Sequence, residues 1–155
     1  MDHIFEARKQ KIGERVRQAL GWLARGRQSS DRADRFLHFF TAIEALLSSD
    51  DRNTPIIQNI ARNAASILDD TPVGRENIAK TLKDLYSTRS KLVHTGSRNI
   101  GDDQVSELEN IAHILCWHII DRTDLSITVQ EFQESLQKSS YGLPWKEEEK
   151  GRIPV

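Results

Sequence analysis

Apolar side chains recur at helical spacing along almost the whole chain, and this periodicity limits the fold more than any other feature. The strongest segment is residues 32–48, which carries a wide stripe of seven apolar side chains: Phe36, Leu37, Phe39, Phe40, Ile43, Leu46 and Leu47. A stripe of that width predicts a central helix packed against several others. No segment alternates polar and apolar residues convincingly, as a half-buried strand does. The sequence therefore predicts an all-α bundle.

Turn-forming residues divide the periodic pattern into six predicted helices. The other five cover residues 4–25, 54–68, 74–93, 102–120 and 128–138, and Gly26 is predicted to break the first of them. Pro55 is expected in the first turn of its helix, where its missing N–H costs little. We predict one domain of about five to six helices over residues 1–140 and an irregular, exposed tail over residues 141–155.

The charges are unevenly distributed along a chain whose net charge is only −1. Residues 1–27 contain seven Lys or Arg against three acids, whereas residues 102–150 contain four against eleven. This asymmetry is typical of a nucleic-acid face at the basic end, or of ordinary solvated helix faces. Both interpretations stay open at this stage.

Cysteine content and hydropathy exclude several other classes of protein. The lone cysteine, Cys116, cannot form an intramolecular disulfide or a Cys-rich zinc site, and its apolar neighbours predict a buried thiol. No apolar run approaches the ~20 residues of a membrane span. The first residues lack the basic start and apolar stretch of a signal peptide. We therefore predict a cytoplasmic protein.

The most informative motif is LYSTRSKLVHTG at residues 85–96, which places Arg89 and His94 near the C-terminal end of a predicted helix. Histidine moves protons near neutral pH, and arginine holds a phosphate through two parallel hydrogen bonds. Together they are the minimum set for metal-free RNA cleavage. Residues five apart on an ideal helix point about 140° apart. The pair therefore converges only if the helix ends or distorts near His94, or if a second subunit completes the site.

Two segments resemble the Apea-like branch of the HEPN superfamily. One is RFL at residues 35–37 with AIEALL at residues 42–47. The other is residues 85–96, with its R-x4-H pattern, a tyrosine three residues before the arginine and a glycine two residues after the histidine. The resemblance covers residues 32–120. It implies a single HEPN-like helical bundle and a metal-independent endoribonuclease that needs no cofactor.

The resemblance also implies partners and roles. HEPN proteins often act as homodimers that bring two R-x4-6-H motifs into one cleft, and many serve in phage defence or toxin–antitoxin systems. RNA is then the substrate, and an antitoxin or a fused domain is a further partner. Arg89 and His94 are the implied catalytic residues, with His94 as general acid or base and Arg89 stabilising the charged phosphorane.

Neighbouring residues complete the predicted site. Lys91 and Arg98 are expected to contact RNA phosphates. Ser90 and Tyr86 are expected to support the site, Ser90 by hydrogen bonding to phosphate. Tyr86 either stacks on a base or packs in the core or at an interface. Ser90 departs from the family pattern, since many active HEPN nucleases carry Asn, Asp or His there.

Glu44 is the expected acidic companion of the site, and it supports a structural alternative. A buried glutamate needs a partner, and Arg89 is the obvious one, which would make Arg89 partly structural. Two rival hypotheses follow. In one, the protein is a non-catalytic HEPN module for RNA or nucleotide binding or for dimerisation. In the other, Arg89 pairs with Glu44 and His94 merely caps a helix.

The other histidines do not predict a metal site. His113 and His118 are five residues apart, and not at the i, i+4 spacing of a helical zinc pair. His38 lies among phenylalanines and is expected to be a satisfied residue in the core or at its edge.

Overall fold

The computed structural model describes residues 9–49 and 53–145. Within those ranges the chain forms six α-helices and no β-strand, which confirms the predicted all-α bundle. A single β-bridge pairs Lys11 with Thr128. The helices are α1 (Ile12–Gln28), α2 (Arg32–Leu47), α3 (Ile56–Leu68), α4 (Pro72–Thr95), α5 (Asp102–Arg122) and α6 (Val129–Ser139).

Helix α2 is the central element, as its wide apolar stripe predicts. Phe36, Phe39, Phe40 and Ile43 are fully buried, and α2 packs against α1, α3, α4 and α5. The chain enters the helix at Asp31, whose carboxylate accepts a hydrogen bond from the Asp34 amide. This cap satisfies one of the free N–H groups of the first turn.

Helix α1 continues past the point where the sequence predicts its end. Gly26 was expected to break the helix, but it is buried inside α1 against the ring of Phe39. The absent Cβ lets α1 and α2 approach closely at this position, so Gly26 serves packing rather than termination. The predicted start of this helix, at residues 4–8, lies outside the described residues.

Proline positions shift two other boundaries. Pro55 precedes α3 as its N-cap instead of lying in the first turn, so the predicted start at Thr54 is too early. Pro72 is in the first turn of α4, and Thr71 caps that helix by accepting a hydrogen bond from the Gly74 amide at 3.1 Å. Helix α4 is therefore two residues longer at each end than the predicted 74–93.

The end of the described chain folds back onto the bundle. Tyr141 and Leu143 are exposed, as predicted for an irregular tail, but Trp145 is only 6% exposed and meets the ring of Phe132 edge-on, 6.1 Å between centroids. The prediction of an exposed tail is therefore wrong for Trp145. Arg75 holds the segment by donating to the carbonyl oxygens of Ser139 and Leu143, at 3.0 and 2.8 Å.

Few residues of α4 are buried, so most of the helix that carries the candidate site is exposed to solvent. Only Leu82, Leu85 and Leu92 are buried in a helix of 24 residues. One narrow face therefore packs on the bundle, and most of the remaining surface is open to solvent. None of the described helices combines the length and apolarity needed to cross a membrane.

Candidate functional site

Arg89 points into the bundle, where it meets Glu44 of α2. Arg89 Nε lies 3.2 Å from Glu44 Oε1, and 28% and 29% of the two side chains are exposed. The predicted Glu44–Arg89 pair is thereby confirmed as a half-buried ion pair between α4 and α2. The buried Nε makes no aligned hydrogen bond, so the contact is one of charge more than of hydrogen-bond geometry.

Two aromatic rings complete the environment of Arg89. The guanidinium carbon lies 5.7 Å from the ring centroid of Phe40 and 5.8 Å from that of Tyr86. These two rings also contact each other, with centroids 5.7 Å apart. Tyr86, predicted to stack on a base, here packs on the core beside Arg89. The arrangement holds the guanidinium by charge and by cation–π attraction.

Burial controls the protonation of Glu44. Removal of its carboxylate from water raises the pKa of Glu44 above the ordinary value of 4.5, and the positive charge of Arg89 opposes that rise. Arg89 therefore favours the ionised form of a partly desolvated carboxylate. The ion pair gives Arg89 a structural contact between α4 and α2.

His94 lies on a different face of α4. It is exposed in the last helical turn, and no described residue hydrogen-bonds to its ring. The helix runs through Thr95 and ends at Gly96, whose φ of 68° is left-handed. Because the helix is continuous across residues 89–94, the two side chains point about 140° apart. One chain therefore does not bring Arg89 and His94 together.

His94 instead shares its face with a row of lysines. Lys80, Lys83, Ser87, Lys91 and His94 are all exposed on α4. At 100° per residue they fall within about 80° of the helix circumference, roughly opposite Arg89. We call these five residues the α4 stripe. Asp84 borders it and the exposed Glu76 lies on the same face one turn before Lys80, but none of the stripe's lysines lies within ion-pair distance of a carboxylate of the described residues.

The remaining predicted residues are divided between the two faces. Lys91 belongs to the α4 stripe, and Ser90 is half-buried between it and Arg89. Arg98 follows the helix and pairs with Asp31, the cap of α2, so its charge is already compensated. Lys80 and Lys83 were not predicted as site residues, although Lys80, Lys83, Ser87 and Lys91 follow one another at helical spacings of three, four and four residues.

A second polar cluster joins α1, α2 and α5. Glu109 accepts from Arg27 at 2.9 Å and lies 3.6 Å from Arg35, and Arg27 also meets His113 at 3.3 Å. Cys116 is buried as predicted, and burial raises the pKa of its thiol to about 11, which disfavours the thiolate at neutral pH. We interpret the polar contacts of Glu109 and His113 with Arg27 and Arg35 as structural contacts that stabilise the packing of α1, α2 and α5.

His38 lies at the edge of the core, as predicted, but the prediction that it is satisfied is wrong, because its buried Nδ1 has no hydrogen-bond partner among the described residues. The His38 ring stacks on Trp22 with centroids 5.6 Å apart. Burial lowers the pKa of His118, and the charge of Arg122 adds to that effect. Within residues 9–49 and 53–145, no three His, Cys, Asp or Glu side chains group as metal ligands would.

Comparisons with protein-family models, with curated proteins and with solved structures give no match to this chain.

Proposed function

We propose that this protein is a HEPN-like module that binds RNA through the α4 stripe. The observation that carries the proposal is the row of three exposed lysines ending at His94 on one face of α4, none of them ion-paired with a carboxylate of the described residues. Lysine ammonium groups bind phosphates through charge, without reading base identity. A single row of cations is suited to one phosphate backbone.

The alternative binding face is the basic segment near the start of α1. Lys11 and Arg17 are exposed there, in the part of the chain with the largest excess of basic residues. The α4 stripe is favoured because its cations share a face with His94, the end of the HEPN-like motif. The two faces carry separate residues, so substitution distinguishes them.

The test compares two variants that each lose three positive charges. The triple variant Lys80→Gln, Lys83→Gln and Lys91→Gln is expected to weaken binding of single-stranded RNA. The slope of log K against log salt is expected to become shallower by about 2, because each of the three lost phosphate contacts removes roughly 0.7 from it. Fluorescence anisotropy over a salt series measures both quantities. The matched control is Lys11→Gln, Arg17→Gln and Lys138→Gln, all at exposed positions outside the stripe.

An equal loss of slope in the control would mean that RNA binds at the basic segment of α1, or that binding depends only on the total charge of the protein. An unchanged slope in the stripe variant would also exclude the proposed face. Circular dichroism of both variants checks the helical fold.

A second candidate is metal-independent endoribonuclease activity, in a homodimer. The observation that favours it is the exposed His94 ring, which no described residue hydrogen-bonds, at the end of the proposed RNA face. In this reaction the 2′-hydroxyl attacks phosphorus, a base takes its proton, and the P–O5′ bond breaks. An acid returns a proton to the leaving oxygen, giving a 2′,3′-cyclic phosphate and a 5′-hydroxyl. A twofold partner would supply the second histidine. Phage defence or a toxin–antitoxin pair would be its setting.

Cleavage of labelled RNA in EDTA tests this candidate. We expect His94→Ala to abolish cleavage while RNA binding and the unfolding midpoint stay near those of the wild type, because the ring is exposed. His118→Ala, on α5, is the matched control. If the wild type binds RNA without cleaving it, the nuclease candidate is excluded and the RNA-binding function is retained. Cleavage that survives His94→Ala would contradict the catalytic role of His94.

A further inference from the structure

A cleft of about 260 Å³ lies between α3 and α4, beside the end of α6. Its floor is made of small side chains, Ala61, Ala65 and Ala79, and these alanines leave the space that larger residues would fill. The volume is below the usual range of about 300–1,000 Å³ for drug-sized ligands, so the cleft suits a small molecule.

The rim of the cleft has an excess of positive charge. Arg62, Arg75 and Lys83 line it together with one acid, Glu76. Arg62 donates to the side-chain oxygen of Asn59 at 2.8 Å, a neutral acceptor. Among the described residues, none of the three cations is ion-paired with a carboxylate.

The three cations have different tasks. Arg75 donates to the backbone carbonyl oxygens of Asp69, Ser139 and Leu143 and to the Ser139 hydroxyl, so it has few free donors, and part of its charge acts on the Asp69 carboxylate. Arg62 and Lys83 are exposed and carry donors that can turn toward the cleft. A tetrahedral anion can accept from both while Arg75 adds its field.

We propose that this cleft binds a small phosphomonoester of about sugar-phosphate size. The phosphate is held by Arg62 and Lys83. The short organic part lies over the alanine floor, and its hydroxyl groups donate to Glu76. This site is separate from the proposed RNA-binding function, except that Lys83 lies at the edge of both.

Isothermal titration with three probes tests the assignment: ribose 5-phosphate, glycerol 3-phosphate and uncharged ribose. We expect at least one phosphorylated probe to bind and ribose not to bind. Arg62→Gln is expected to weaken that binding at least tenfold, and Arg62→Gln with Lys83→Gln to abolish it. Lys138→Gln, an exposed charge outside the cleft, is expected to leave the affinity unchanged.

Three outcomes would overturn the proposal. The first is no heat from either phosphorylated probe at about 10 mM, a concentration that detects even millimolar affinity. The second is unchanged binding in the double variant, and the third is an equal loss in Lys138→Gln. Arg62 is outside the α4 stripe, so Arg62→Gln should not change the salt slope of RNA binding. The cleft proposal and the RNA-binding proposal can therefore be contradicted independently of each other.

Discussion

Replacing Trp145 by alanine is expected to lower the free energy of unfolding by about 3 to 5 kcal/mol. The indole is 6% exposed and contacts Phe132 of α6, which is itself 1% exposed. Truncation therefore removes a large apolar contact and opens a cavity beside a core phenylalanine. Urea unfolding followed by circular dichroism measures the change.

The matched control for Trp145 is Tyr141→Ala in the same segment. Tyr141 is 80% exposed, so its loss is expected to change stability by less than about 0.5 kcal/mol. If both substitutions had the same small effect, residues 141–145 would not be part of the folded core. A large effect of Trp145→Ala alone would extend that core beyond the predicted boundary at residue 140.

Replacing Arg89 by methionine is expected to lower the free energy of unfolding by about 1 to 3 kcal/mol at neutral pH. Methionine preserves much of the packing on Phe40 and Tyr86, so the loss reports the ion pair with Glu44. Without Arg89, the half-buried carboxylate of Glu44 has no opposing charge. We therefore expect the pKa of Glu44 to rise further above its ordinary value.

This substitution should cost less in acid. Burial already raises the pKa of Glu44 in the folded protein above 4.5, so the folded state binds this proton more tightly than the unfolded state does. The stabilisation from this proton is fully present below the unfolded pKa and is lost as pH rises through the folded pKa. At about pH 4 Glu44 is largely neutral in both states, and the missing Arg89 charge then has little effect.

Urea unfolding of Arg89→Met at about pH 4 and pH 7 measures this difference, with Arg98→Met as control. Arg98 forms an exposed pair with Asp31, and such pairs contribute about 0 to 1 kcal/mol. A destabilisation by Arg89→Met that is equal at both pH values would show that the pair with Glu44 is not its cause.

The result also bears on how cleavage experiments are interpreted. If Arg89 supports α2 and α4, loss of RNA cleavage in an Arg89 variant could follow from a weakened fold alone. His94 is exposed and carries no such structural contact with the described residues, so His94→Ala is the cleaner test of catalysis. Cleavage by Arg89→Met should therefore be measured at a temperature where that variant is folded.

Prediction from the sequence was most accurate where the local residue pattern and the requirements of tertiary packing agreed. The apolar spacing of residues 32–48 predicted the buried helix α2, and the polarity of Glu44 on that helix predicted its pairing with Arg89. Both predictions rest on the high cost of burying an unpaired charge and of exposing a broad apolar stripe. Gly26 and Trp145 were misread because local signals do not show which partner surface will cover a residue.

By itself the sequence determined the all-α class, the helix that fills the centre and the presence of an R-x4-H motif. These follow from side-chain periodicity and residue chemistry, which are local properties. Only the tertiary structure decided how the motif is divided: Arg89 turns inward to Glu44, whereas His94 turns outward with the lysines of the α4 stripe. The physical reason is that a continuous helix fixes the angle between two of its residues, but packing against α2 selects the face that is buried.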